Sequence, residues 1–369
     1  AGGIVAQALG TITGPEPTTD EDDNVVFTDA VDNVTVQAFI AGGAVGAVYR
    51  DISSSAFDTQ YVLNMNDIRV ADTNVIAKTS DTTRTGVSGA GLLGLARSKT
   101  EIKLDNCYVN NKTTTSVVAS SGYQAYSAGA VAHVTQDVTK LDIIDTESYA
   151  TVSVTEAQKD GTVYAAGLVG YISSTDTKAF DLNNLRFDGS VAGGEISGKA
   201  MTTFVAGVIG GLYPSITSEI TDEFFINGVI SATVENLDGE SANITNKAVH
   251  RYGKFIAGYK DEVFNADNFA ALFKDNYYST YPQDISFFSS ESGESAYESS
   301  ITEAMFKDIN VQGNLIIADE YESSWNSVAI TKNIQTDTLL YAKLDIYSEL
   351  PYGSKDENGE FTKTAVAAG

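Results

Sequence analysis

The stretch Ala165-Ala166-Gly167-Leu168-Val169-Gly170-Tyr171 contains a short motif of glycine and apolar residues. Its core is a glycine followed by two apolar residues and a small residue, and it recurs along the first two thirds of the chain. The successive copies begin at the repeat-core glycines Gly3, Gly43, Gly91, Gly129, Gly167 and Gly207. The steps between these glycines are 40, 48, 38, 38 and 40 residues, and a weaker seventh copy at Gly258 follows after 51. Such self-similarity predicts a stack of similar units that bury their apolar faces on one another.

A second element, rich in Asn and Asp, follows the glycine motif in most units, as in Leu104-Asp105-Asn106-Cys107-Tyr108-Val109. A third segment of alternating polarity comes next, as in Thr151-Val152-Ser153-Val154. Three short strand signals per unit, separated by turn-forming residues, predict β-structure. The 369 residues include only 5 prolines, so strand pairing is rarely interrupted. We therefore predict an all-β fold, a β-solenoid of about six units of 38–48 residues.

The recurrence of the glycines assigns them a packing role. Glycine at a crowded position lets the backbone of one coil approach the next, and glycine alone tolerates positive φ without strain. A nucleotide-binding loop is the competing interpretation, but it requires one glycine-rich turn between a strand and a helix. Six copies without helices favour the packing role.

The glycine motif followed by an Asn-bearing strand resembles the GLUG-type repeats of large bacterial and archaeal surface proteins. The resemblance covers about residues 1–235, and the copies at Gly3 and Gly129 depart from the motif by ending in alanine. It implies an extracellular β-repeat protein of the surface or adhesin-like kind, and it carries over no catalytic residue. A first residue other than Met is consistent with a secreted chain whose signal peptide has been removed.

The sequence divides into a repeat array over residues 1–252 and a C-terminal region over residues 253–369. Nineteen of the 36 Phe, Trp and Tyr residues lie in positions 251–369, which favours a mixed, aromatic-rich region that caps or extends the array. Ser300 and Glu303 have the spacing of a helix capping box, so a helix is expected over residues 300–307. The segment 268–274 has the composition of a second short helix.

The net charge of −26 disfavours nucleic acid and anionic membranes as partners, since both require basic patches. No apolar run reaches the ~18 residues of a membrane span. Packed copies of so acidic a chain repel one another unless cations or geometry intervene. Calcium is therefore the one candidate cofactor, with Asp20, Asp22 and Asp23 as candidate ligands, although a solvated acidic loop is the more conservative interpretation.

Few other residues indicate a site. Cys107 is expected to be a small core residue, with an intermolecular crosslink as the alternative if its thiol is exposed. His133 and His250 lie far apart and lack metal-ligand spacing, so they are interpreted as a repeat-position residue and a surface residue. Candidate N-glycosylation sequons begin at Asn33, Asn111 and Asn243.

We expect no enzymatic activity, because an acidic pair found among 49 Asp and Glu residues has almost no specificity. The leading hypothesis is a structural extracellular protein that self-assembles by strand pairing into a surface layer, sheath or fibre, with copies of itself as partners. It rests on a first glycine motif at Gly3, which predicts a terminal coil with open strand edges. The alternatives are an adhesin stalk that binds glycan or protein through residues 253–369 and, less favoured, a polysaccharide-degrading β-helix.

Overall fold

A computed structural model describes most of the chain up to Tyr213 and short segments beyond it. The described residues are 1–8, 10–16, 18–19, 25–26, 28–48, 61–79, 86–97, 100–119, 124–135, 138, 140–156, 161–173, 185–188, 190–200, 202–213, 221–222, 224–227, 249–253, 256–259, 276–279, 289–290, 293–294, 306–308, 352–355 and 361–363.

Every regular element in the described residues is a β-strand. The first pass of the chain contains β1 (Val5–Gln7), β2 (Gly10–Thr13), β3 (Thr18–Thr19), β4 (Val25–Val26), β5 (Val31–Asp32), β6 (Thr35–Ala38) and β7 (Ile40–Gly42). The second contains β8 (Val45–Val48), β9 (Tyr61–Asn66), β10 (Arg69–Ala71), β11 (Asn74–Thr79) and β12 (Val87–Ala90). The third contains β13 (Leu93–Ala96), β14 (Thr100–Asp105), β15 (Tyr108–Val109), β16 (Thr114–Ala119) and β17 (Gln124–Ala128).

The same order of strands continues towards the C-terminus. The fourth pass contains β18 (Val131–Val134), β19 (Lys140–Ile144), β20 (Glu147–Ser148), β21 (Thr151–Glu156) and β22 (Thr162–Ala166). The fifth contains β23 (Val169–Ile172), β24 (Leu185–Asp188), β25 (Val191–Gly193), β26 (Ile196–Lys199) and β27 (Thr202–Ala206). The remaining strands are β28 (Ile209–Leu212), β29 (Thr221–Asp222), β30 (Phe224–Asn227), β31 (Val249–Gly253), β32 (Ile256–Tyr259), β33 (Asn276–Ser279), β34 (Ser289–Ser290), β35 (Gly293–Glu294), β36 (Phe306–Asp308), β37 (Tyr352–Lys355) and β38 (Phe361–Lys363).

Each pass places one strand in each of five parallel sheets, which we number in the order in which the chain visits them. Sheet 1 runs β1-β8-β13-β18-β23-β28-β32, and sheet 2 runs β2-β9-β14-β19-β24-β29. Sheet 3 runs β5-β10-β15-β20-β25-β30-β33-β36, sheet 4 runs β6-β11-β16-β21-β26, and sheet 5 runs β7-β12-β17-β22-β27-β31. Strands one pass apart pair in parallel, so the chain forms the β-solenoid that the repeats predict.

The register of sheet 1 confirms the repeat spacing. Val5, Val45, Leu93, Val131, Val169 and Ile209 align with one another, and these residues are separated by the same 40, 48, 38, 38 and 40 positions as the glycines. The seventh copy was placed wrongly by the sequence. Ile256 pairs with Ile209, so Gly258 aligns with Gly211 and not with the motif glycine Gly207.

Two details of the predicted secondary structure are wrong. Each complete pass has five sheet strands where three were expected, because bends divide both the glycine motif and the Asn-bearing segment. The helix expected over residues 300–307 is contradicted at its end, since Phe306–Asp308 is strand β36 and pairs with β33. Residues 268–274 lie outside the described residues. Strands β32, β33 and β36 show that sheets 1 and 3 continue into the C-terminal region.

The core lies inside the solenoid and is built from ladders of apolar side chains. Alternate residues of a strand point to opposite faces, so every second residue faces inward. In sheet 2, Leu63, Ile102, Leu141 and Leu185 form one inward ladder. Met65, Leu104, Ile143 and Phe187 form the next, and all these side chains are at most 1% exposed. Each side chain therefore packs against its equivalent one coil away, which explains why the pattern repeats in the sequence.

Candidate functional site

The repeat-core glycines lie in the bends that join sheet 5 to sheet 1. The Gly129 amide donates a 3.1 Å hydrogen bond to the Ala166 carbonyl, and the Gly167 amide donates one of 2.9 Å to the Gly207 carbonyl. A Cβ atom on Gly3, Gly43, Gly91, Gly129 or Gly167 would overlap the carbonyl oxygen of the next glycine in the ladder. No positive φ is recorded at these five residues, so the requirement for glycine is close backbone approach.

A second ladder of special residues lies at the corner between sheets 2 and 3. Asp67, Asn106 and Asp145 have φ of 56°, 52° and 49°, in the left-handed region that Asn and Asp tolerate better than most side chains. The Asn106 side chain donates a 2.6 Å hydrogen bond from Nδ2 to Asp67 Oδ1. This corner divides the segment that the sequence presented as one Asn-bearing strand.

Cys107 lies in the core with 1% exposure, as the conservative interpretation predicts. Its thiol donates to the Met65 carbonyl at 3.3 Å, and burial raises the pKa of Cys107 to about 12. The crosslink hypothesis required an exposed thiol, and the structure does not provide one.

The candidate metal ligands Asp20, Asp22 and Asp23 lie outside the described residues, as does Asn243. Within the described segments, no group of three or more His, Cys, Asp or Glu side chains is placed to hold a metal ion. Asn33 is exposed at a corner with φ of 51°, and Asn111 is exposed in a turn. In the sequon of Asn111, the Thr113 hydroxyl is buried and donates to Asn110 Oδ1 at 2.8 Å.

Aromatic rings collect on the outer side of the bend between sheets 5 and 1. In β22, Val163 and Ala165 face the core, so Tyr164 points to the opposite face. We call the rings that meet there the outer aromatic cluster. Its members are Tyr126, Tyr164 and Phe204 from sheet 5, His133 and Tyr171 from sheet 1, and Tyr213 just after β28.

The rings of this cluster pack mainly on one another. Centroids of Tyr126 and His133 are 4.1 Å apart, those of Tyr164 and Phe204 are 4.8 Å apart, and both pairs are stacked. Tyr126, Tyr164 and Phe204 are only 3–5% exposed, whereas Tyr171 and Tyr213 are partly exposed. Burial raises the pKa of Tyr126 well above its ordinary value, and the neighbouring tyrosines add to the effect. The cluster is therefore a neutral, nearly closed stack and lacks the exposed ring faces of an open platform.

The rings fit because glycine residues occupy neighbouring positions in sheet 1. Gly211 and Gly258 align with Tyr171 in sheet 1. A Cβ atom on Gly211 would lie 2.7 Å from ring carbons of both Tyr164 and Tyr171. Sequence reasoning missed this cluster, although a signal is present: Tyr126, Tyr164 and Phe204 each precede a motif glycine by three positions. The region 253–369 is richer in aromatic residues, but its side chains are described only at Ile256–Gly258.

A buried charged group occupies the outer face of sheet 3. Arg69, Tyr108 and Glu147 are aligned on neighbouring strands, and Arg69 Cζ lies 5.3 Å from the Tyr108 ring centroid. Arg69 and Glu147 are only 3% and 6% exposed. Burial lowers the pKa of Arg69, while the nearby charge of Glu147 opposes that shift. Because the opposite charges of Arg69 and Glu147 offset each other, we interpret these residues and Tyr108 as a structural group that holds neighbouring coils together.

Open strand edges are the remaining feature with functional meaning. Among the described residues, β1, β2, β5 and β6 each stand at one end of their sheet, with a neighbour on one side only. The edge of β7 is already paired, since Gly2 forms a parallel bridge with Gly42 and the Gly42 amide donates to the Ala1 carbonyl at 3.0 Å. In sheet 4, the Asn74 amide donates to the Val34 carbonyl at 2.8 Å. Because donors alternate along a parallel strand, the Val36 amide faces β11 and the Gln37 amide faces the open edge. Thr35 and Gln37 are exposed, while Val36 is buried.

Comparison with known protein families, curated proteins and solved structures gives no match for this chain. Among the described residues, no helix has the length and apolar character needed to cross a membrane.

Proposed function

We propose that this chain is a structural extracellular protein that self-assembles by strand pairing into a surface layer, sheath or fibre. The observation that supports the proposal most directly is the set of four parallel edge strands in the described part of the chain, β1, β2, β5 and β6. Unpaired backbone donors and acceptors on such strands pair readily with another chain. The extracellular location belongs to the same proposal and rests on the resemblance to surface repeat proteins.

The steric pattern at the edge limits which residue a partner strand can place beside Gly3. Within the solenoid, the glycine of one coil lies against the carbonyl oxygen of the next glycine, where a Cβ atom would overlap. A coil added beside Gly3 meets the same condition, because the Gly3 carbonyl would take the place of that oxygen. It must therefore carry a residue without a side chain opposite Gly3.

Electrostatic repulsion opposes this assembly. A net charge of −26 on each copy disfavours close stacking at low ionic strength. We infer that salt or divalent cations promote polymer formation, with Ca²⁺ as the preferred hard cation for carboxylate oxygens. Chelation by EDTA tests this part separately: unchanged polymer length and thermal stability would remove Ca²⁺ from the proposal.

Electron microscopy combined with analytical ultracentrifugation tests the main proposal. The full chain is examined over a wide range of protein and salt concentrations, and ordered polymers are expected. Gln37→Pro removes the amide at the open edge and no ladder hydrogen bond inside the monomer, since proline is tolerated on edge strands. This variant should fold but polymerise less, whereas Gln37→Thr, which keeps the amide, should polymerise like the parent.

Two results would overturn the proposal. One is a monodisperse monomer under all conditions, and the other is equal polymerisation of the proline and threonine variants.

The rival adhesin hypothesis predicts glycan or protein binding that is lost when residues 253–369 are deleted. The closed packing of the outer aromatic cluster disfavours that cluster as a glycan platform, because its most buried rings lack free faces.

A further inference from the structure

We propose that the outer aromatic cluster is a site of oxidative cross-linking, at which Tyr164 and Tyr213 couple into a dityrosine that joins neighbouring coils. The two hydroxyl oxygens are 3.5 Å apart. The rings meet edge to face, with an interplanar angle of 89° and a centroid separation of 6.4 Å. Coupling occurs at the carbon ortho to each hydroxyl, and the hydroxyl contact brings those ring corners together.

The cluster also provides a route for oxidation of a buried phenol. Tyr213 and Tyr171 are partly exposed, whereas Tyr164 is 4% exposed. The Tyr213 and Tyr171 centroids are 5.4 Å apart, and those of Tyr171 and Tyr164 are 4.4 Å apart. An oxidant that removes an electron from an exposed ring thus generates a radical in direct contact with Tyr164. The cluster contains no Cys, Met or Trp side chain among the described residues that would be oxidised in preference.

The chemistry requires a peroxide and a haem-type peroxidase as the one-electron oxidant. Each phenol loses one electron and one proton, and the two phenoxyl radicals form a carbon–carbon bond between their ortho carbons. The ortho hydrogens then move to the oxygens and restore both phenols. Two electrons and two protons reduce one hydrogen peroxide to two waters, so the protein loses two hydrogen atoms in total.

The product would tie two parts of the solenoid covalently. Tyr164 belongs to β22, and Tyr213 follows β28, 49 positions later in the sequence. Closing a loop of that size restricts the unfolded chain, as a disulfide does. The cross-linked protein should therefore unfold at a higher denaturant concentration. The inference rests on the geometry of a single chain and does not depend on the proposed assembly.

The test is oxidation of the full chain by horseradish peroxidase and hydrogen peroxide at low protein concentration. Peptide mapping by mass spectrometry should find the Tyr164–Tyr213 linked pair about tenfold or more above any other tyrosine pair, because the contact between the two hydroxyl groups holds their ortho carbons together. Tyr171 has shorter centroid distances to Tyr164 and Tyr213, 4.4 and 5.4 Å, so linked pairs that include Tyr171 are the main competitors. Intact mass should fall by two hydrogen atoms. Tyr213→Phe and Tyr164→Phe should each abolish this linked pair, while Tyr108→Phe, a change outside the cluster, should leave its yield unchanged.

A denatured control keeps the result interpretable if a variant folds poorly. In concentrated urea the parent chain should lose the preference for Tyr164 and Tyr213, since the rings no longer meet. The inference is wrong if the folded parent couples other tyrosines while this pair stays unmodified. It is also wrong if the same preference persists in urea.

Discussion

The Gly167 amide donates a 2.9 Å hydrogen bond to the Gly207 carbonyl oxygen, and a Cβ atom on Gly167 would overlap that same oxygen. The contact therefore requires a residue without a side chain on the donating coil. The same Cβ overlap recurs at Gly3, Gly43, Gly91 and Gly129, although the amides of the last three donate to the alanine carbonyl that precedes the next glycine. One steric condition thus explains the most conspicuous repeat in the sequence at the five described bends from Gly3 to Gly167.

Replacing Gly167 by alanine should destabilise the solenoid. The added methyl group meets backbone that cannot move without shifting the adjoining coil, so we expect a loss of about 3 kcal/mol in the free energy of unfolding. Denaturant titration followed by circular dichroism measures the change. Glu195→Ala, at an exposed position, is the control and should change stability by less than about 0.5 kcal/mol. Equal stability of the two variants would contradict the steric role.

The corner ladder predicts a difference between two substitutions at Asn106. Asn106→Ala removes the hydrogen bond to Asp67 and places alanine at φ of 52°, so it should cost about 2 kcal/mol. Asn106→Gly removes the same hydrogen bond but accepts the backbone angle, so it should cost less. The denaturation midpoints of the two variants measure this difference in stability. An equal loss would mean that the backbone angle contributes little.

The sequence was sufficient to predict the solenoid because each inward ladder repeats the same residue type. Leu63, Ile102 and Leu141 align one above another, and the spacing is visible without coordinates. Features that depend on bends were harder to predict. Asp67 and Asn106 are turn-forming residues, but apolar residues lie close to them on both sides and mask the corner, so one predicted strand proved to be two.

The outer aromatic cluster depends on contacts between sheets, which a scan along the chain does not reveal. Tyr164 and Tyr213 are 49 positions apart and meet because one follows a strand of sheet 1 and the other lies in sheet 5. A Cβ atom on Gly211 would lie 2.7 Å from the Tyr164 ring, and one on Gly258 would lie 3.2 Å from the Tyr213 hydroxyl oxygen, so both glycines leave room for the pair. These rings become neighbours only when successive passes of the chain are aligned in the solenoid.

Cys107 should be unreactive in the folded protein. Its thiol is buried and its pKa is raised to about 12, so about one molecule in ten thousand would carry a thiolate at pH 8. A thiol reagent such as DTNB should label no Cys107 in native protein and one thiol per chain in guanidinium chloride. Polymers, where they form, should be insensitive to dithiothreitol. Rapid native labelling, or dissociation by reductant, would restore the crosslink interpretation.

His133 should make the solenoid less stable as the pH falls. Burial lowers the pKa of His133 to about 3, Arg97 adds to the shift, and Nε2 has no hydrogen-bond partner within the described part of the chain. The unfolded chain binds this proton near pH 6.5 and the folded chain only near pH 3. Stability is therefore fully present above pH 6.5 and declines below it, by up to about 1.4 kcal/mol per pH unit from this residue.

Substitution isolates this contribution from the titration of the acidic residues. In the parent chain, the ring centroids of His133 and Tyr126 are 4.1 Å apart. His133→Phe keeps a flat ring that can stack on Tyr126, and it removes the titrating group. The unfolding free energy of this variant should fall less steeply than that of the parent between pH 6.5 and pH 3, while the two profiles run parallel above pH 7. Carboxylates are common to both proteins, so they cancel in the difference. Parallel profiles across the whole range would show that the imidazole accepts a proton without disturbing the stack.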